Sequence, residues 1–112
     1  MSHSATALVY TTFPALEPAE ATARLLVEQR LVACANILPG MVSIYRWAGE
    51  IERGEEVAML LKTTAAHAEK VVATVRAIHP YEQPAILVVP VSGGDPGYLR
   101  WIATETEPLP PE

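Results

Sequence analysis

Two strand-like arms, Ala33 to Trp47 and Glu50 to Thr63, are joined only by Ala48-Gly49, and this pair of arms constrains the chain more than any other feature. Glycine supplies the backbone freedom that so tight a turn needs, so the arms are expected to form one long β hairpin. Pro39-Gly40 interrupts the first arm. Arms of about fifteen residues reach roughly 45–50 Å at ~3.3 Å per residue, whereas ordinary strands have about five or six residues. The excess must overhang the sheet or bend at Pro39-Gly40, and it carries Ile44, Tyr45, Trp47 and Ile51. Such a ribbon presents unpaired edges that invite pairing with another chain. The expectation is a homo-oligomer that covers the hairpin.

The segments around the hairpin define the rest of the fold. Ala5 to Thr12 is an apolar run bounded by Pro14 and reads as a buried strand. Pro18 suits the first turn of a helix that runs to about Val32, with Glu20 adding negative charge at its start. Ala19, Ala23, Leu26 and Val27 form the apolar stripe of that helix. In the second arm Val57, Met59 and Leu61 alternate with Ala58, Leu60 and Lys62. Thr64 is placed to cap a second helix, whose stripe is Ala68, Val71, Val72, Val75 and Ile78 and whose end is His79-Pro80. Ala85 to Val91 reads as another buried strand, Gly93 to Gly97 as a turn cluster and Tyr98 to Thr104 as a short last helix.

The order is βαββαβ plus a helix. That is a ferredoxin-like α/β (α+β) sandwich, with both helices on one face of the sheet. The 112 residues form a single domain, with residues 1–4 and 105–112 expected as flexible tails.

Composition narrows the function. A net charge of −5 argues against nucleic acid, which demands basic surface. There is no lysine- and arginine-rich amphipathic face for a membrane surface, and no apolar run of the ~18–20 residues that would cross one. The polar start lacks the pattern of a signal peptide, and the single cysteine, Cys34, excludes an internal disulfide, so a cytoplasmic location is expected. No glycine-rich phosphate loop is present, and nothing near Ser43 suggests a triad. The chain is expected to be no enzyme and to use no organic cofactor.

Several segments, in order, resemble the CutA divalent-cation tolerance family. They are Val9 to Pro14, Arg30 to Gly40, Ser43 to Ile51, Glu56-Val57, Leu61 to Thr63, His79 to Glu82, and Tyr98 to Ile102, together spanning about residues 7–103. The resemblance implies a ferredoxin-like subunit in a tight homotrimer joined by strands of the hairpin. It also implies a link to divalent metal, particularly Cu(II). Members described as copper binders carry a cysteine where this chain has Thr11 and a second histidine where it has Ile78. Any inherited metal site should therefore be weak.

Candidate metal ligands are His79, Glu82 and Cys34. A neutral imidazole at a helix end can bind metal, and it can equally be a dipole-stabilised terminal residue. Cys34 is a soft ligand and also a common core residue. His3, beside the terminal amine, can capture copper without a fold, whereas His67 reads as a solvated residue in the first turn of its helix. Tyr45, Trp47, Lys62 and Tyr81 are placed at a cleft between subunits, with Trp47 the interface anchor.

One rival is a small-molecule sensor like the PII signal proteins, binding a ligand in that cleft. Those carry a long loop at the hairpin tip, where this chain turns tightly. A second rival, an isomerase-type enzyme using Tyr45, Lys62 or His79, lacks a paired catalytic set.

Overall fold

The computed structural model describes residues 5–109. The tail expected at residues 1–4, with His3, and residues 110–112 of the other tail lie outside the described residues. The elements are β1 (Thr6–Phe13), α1 (Leu16–Glu28), β2 (Cys34–Trp47), β3 (Glu50–Thr64), α2 (Ala65–Ile78), β4 (Ile86–Pro90) and α3 (Pro96–Glu105). The four strands form one antiparallel sheet in the order β2-β3-β1-β4, the ferredoxin-like order.

Strand alternation decides which residues meet the helices. Val9, Thr11 and Phe13 of β1 lie opposite Leu61, Met59 and Val57 of β3, and all are buried. Ala19, Ala23 and Leu26 of α1 and Val71 and Val75 of α2 complete that core. The side chains between them, Tyr10, Thr12, Ala58 and Lys62, belong to the opposite face.

Helix α1 departs from its expected bounds. It starts at Leu16, so Pro18 is its third residue and Glu17, not Glu20, is the acid of its first turn. It ends at Glu28 because Arg30 takes a left-handed φ of 59°. The Arg30 N–H then donates to the Val27 carbonyl and the Leu31 N–H to the Leu26 carbonyl, a Schellman closure. That turn delivers Leu31 and Val32 to the core and leaves Val27 exposed. Thr22, on the other side of the stripe, is buried with Ala19, Ala23 and Leu26 instead.

Five further expectations change. Ile78 is exposed rather than part of the α2 stripe, because the chain turns into extended backbone at His79. Strand β4 is not buried: it pairs only with β1, and Leu87, Val88 and Val89 are all exposed. The tail expected from Glu105 is docked as far as Glu107. There Thr106 is buried, its hydroxyl donates to the Ile102 carbonyl, and its own carbonyl accepts from His67 Nε2 at 2.8 Å. His67 is therefore a half-buried tether and not a solvated residue. Pro96 and Gly97, expected in a turn, open α3 behind the Asp95 carboxylate, which accepts from the Tyr98 N–H at 2.9 Å.

The hairpin forms as expected. Ala48 and Gly49 have φ of 51° and 83°, the paired positive values of a type I′ turn. The β2–β3 register shifts between Leu38 and Met41, where Gly40 has a φ of 81°. Pairing of β1 with β3 stops at Phe13 opposite Val57. From Met41 opposite Glu56 to Trp47 opposite Glu50 the hairpin is therefore a two-stranded arm, and the molecule extends 51 Å along its longest axis.

Candidate functional site

At the root of this arm four segments converge on one carboxylate. Glu56 of β3 accepts hydrogen bonds from Ser43 of β2 at 2.8 Å, Thr12 of β1 at 3.2 Å and the Tyr81 phenol at 3.0 Å. Tyr81 lies in the connection between α2 and β4. Its N–H donates to His79 Nδ1 at 3.1 Å, so Nε2 carries the imidazole proton and donates it to the Thr12 carbonyl at 2.6 Å. The imidazole also stacks on Phe13, with centroids 4.5 Å apart. Burial first, and then the hydrogen bond to Glu56, push the Tyr81 phenol up to about 12, with Tyr45 adding to the shift. A phenol kept protonated in this way is a dependable donor.

A second cluster lies elsewhere on the same sheet face. Lys62, opposite Leu8 and Cys34, donates to the Tyr98 phenol oxygen at 2.9 Å. Its ammonium is 5.1 Å from the Tyr98 ring centre, so the hydroxyl rather than the ring face holds it. That hydrogen bond, with help from Cys34, raises the Lys62 pKa and keeps the side chain charged. Tyr98 in turn stacks on Trp101 at 5.6 Å.

The structure thus separates the residues expected together. Tyr81 lies at the arm's root, Tyr45 stands on the arm opposite Glu52, Lys62 sits with α3, and Trp47 stands at the arm's tip, 64% exposed. Glu56, Thr12 and Ser43 were not singled out as a site by their local pattern, since each looks like an ordinary strand residue. Only the register places their oxygens together. Tyr98 and Trp101, three residues apart on a helix, carried a visible spacing signal.

The expected metal ligands do not fit a metal. Both nitrogens of His79 are engaged with the backbone, Glu82 is exposed, and Cys34 faces Lys62 across the strands. Among the described residues no group of three or more His, Cys, Asp or Glu side chains could hold a metal ion. Thr11 Oγ1 is the one buried side-chain oxygen or nitrogen without a partner among them, and it lies between Met59 and Ile86 in the core. A lone neutral hydroxyl there offers a divalent cation no charge. The donors are instead committed to positioning: three hydroxyl protons to Glu56, and the imidazole to two backbone groups.

The fold and this site define a ferredoxin-like sandwich with an overhanging arm, its root fastened by a hydroxyl–carboxylate knot. The family model for the CutA1 divalent ion tolerance protein matches residues 7–105, and the chain belongs to that family. It is 43% identical over 99 residues to the divalent-cation tolerance protein CutA of Thermus thermophilus, covering 88% of this chain and 96% of that protein. The crystal structure of CutA from Xylella fastidiosa is 45% identical, with a TM-score of 0.89 over 93% of this chain and all of that one. The periplasmic divalent cation tolerance protein CutA from Archaeoglobus fulgidus is 38% identical, with a TM-score of 0.87 over 91% of this chain and 99% of that one.

Proposed function

We propose that this protein serves divalent-cation tolerance as a non-enzymatic homotrimer in the cytoplasm. Membership of the family supports the tolerance role, through the names that its relatives carry. One observation carries the assembly: the arm exposes Ile44, Tyr45, Trp47 and Ile51, far more apolar surface than a two-stranded ribbon keeps in water. The open edge of β4, with Leu87, Val88 and Val89 exposed, supports it further.

Copper(II) is the cation expected to bind best, since it leads the divalent series at nitrogen and oxygen donors. With no donor set gathered among the described residues of one chain, the contact is of few ligands and modest affinity. Light scattering should give about three times the 12.1 kDa chain mass at micromolar concentration, and a monomer there overturns the assembly. Cell fractionation tests the compartment, where a relative carries the word periplasmic. Sensitivity of a deletion strain to copper, restored by this gene, tests the role itself.

A further inference from the structure

We infer that Glu56 is a positioning residue that fixes the angle at which the β2–β3 arm leaves the sheet, and that this angle governs how copies join. The second half rests on the homotrimer proposed above; the first does not.

The backbone alone leaves that angle loose. At the root the ladder between β2 and β3 breaks its register from Leu38 to Met41, and Gly40 adopts a φ of 81°. Bulges of this kind bend and twist a strand. In the same place β3 loses its other neighbour, because β1 ends at Phe13 opposite Val57. Beyond it, a two-stranded ribbon with no third strand has little to resist rocking.

The Glu56 knot bridges this weak point. Ser43 lies on the arm beyond the bulge, Thr12 next to the last residue of β1, and Tyr81 on the α2–β4 connection. One carboxylate thus ties the arm to two parts of the body. His79 stiffens the body side, since it holds both the Thr12 carbonyl and the Tyr81 N–H. Hydrogen bonds to a carboxylate are roughly twice as strong as neutral ones, and three of them from three different segments suit a device that sets an angle.

The test measures the angle directly. In the full-length chain with Cys34→Ser, spin labels are placed at Glu52→Cys on the arm and Ala73→Cys on α2, both exposed positions. Labelled chains are co-assembled with an excess of unlabelled ones, so that distances within one chain are read. The parent should give one narrow distance distribution. Glu56→Ala should broaden or shift it, Glu56→Gln should restore most of it, and sedimentation should show association at least tenfold weaker for Glu56→Ala. An unchanged distribution in Glu56→Ala overturns the inference. A broadened distribution with unchanged association overturns its second half, and a parent that is itself monomeric overturns the trimer while the distances still judge the angle. If Glu56→Ala fails to fold, Ser43→Ala and Tyr81→Phe, each removing one hydroxyl, are read by the same distances and criteria.

Discussion

Arg30 donates from Nε to the Glu107 carbonyl at 2.6 Å, fastening the end of α1 to the end of α3. Its Nη2 adds a bond to the Thr104 carbonyl at 3.0 Å. The same residue holds the left-handed φ of 59° that ends α1. Arg30→Gly would relieve a backbone cost of roughly 1–2 kcal/mol. It would also remove two charge-assisted bonds at a helix C-terminus, worth about 1.5–3 kcal/mol each before exposure reduces them. The loss should exceed the gain. Urea unfolding is expected to show Arg30→Gly less stable than the parent, with hydrogen exchange of the α3 amides rising first.

Thr11→Val should stabilise the fold. The Thr11 hydroxyl is fully buried without a partner, and an unsatisfied buried hydroxyl costs about 1–3 kcal/mol. Valine keeps the shape and the β-branching. A gain of that order in urea unfolding is expected, and a loss would mean that the hydroxyl has a partner.

The arm's tip supplies another prediction. Trp47 is 64% exposed in the single chain, so its truncation costs a lone chain little. Burial in the proposed homotrimer would make it an anchor, and truncating a buried tryptophan costs ~3–5 kcal/mol. Trp47→Ala should shift light scattering towards the monomer while far-ultraviolet dichroism stays that of the parent. An unchanged mass would leave Trp47 an exposed side chain with no part in joining copies.

The phenol of Tyr81 gives an alkaline signature. Its value in the folded protein, about 12, lies above the ordinary value of 10.0, so the folded state holds this proton more tightly. The stability this contributes is present in full below about pH 10 and is lost as pH rises towards about 12. Absorbance at 295 nm should show one of the tyrosines ionising last, and Tyr81→Phe should lose that step. The urea midpoint of Tyr81→Phe should also fall less steeply than the parent's over the same window. The contribution of Lys62, whose pKa is also raised, is likewise lost as pH rises, and in both proteins, so only their difference reports Tyr81.

Copper should ignore His79. Its nitrogens already serve Tyr81 and Thr12, so His79→Ala is expected to lower the melting temperature and leave Cu²⁺ binding as it was. Titration calorimetry in a His3→Ala background, which removes the N-terminal copper trap, decides the matter. A lost copper signal in His79→Ala would restore the histidine as a ligand.

The sequence by itself determined the order of elements, the long hairpin and its turn, and most of the core stripe. These follow from local signals: strand alternation at Val57, Met59 and Leu61, helical spacing from Ala68 to Val75, and the Ala48-Gly49 turn. The family was legible too, because short motifs keep their order and spacing. The early end of α1 was not legible, since Arg30 adopts a conformation more typical of glycine and is held by carbonyls of a helix more than seventy residues later. Only the tertiary structure decided the site. Glu56, Ser43, Thr12 and Tyr81 are brought together by antiparallel register and by the path of the α2–β4 connection, and neither leaves a periodic trace in the chain. The fate of His79 was decided in the same way, because a histidine read as a ligand finds both of its nitrogens taken by backbone groups that only folding places beside it.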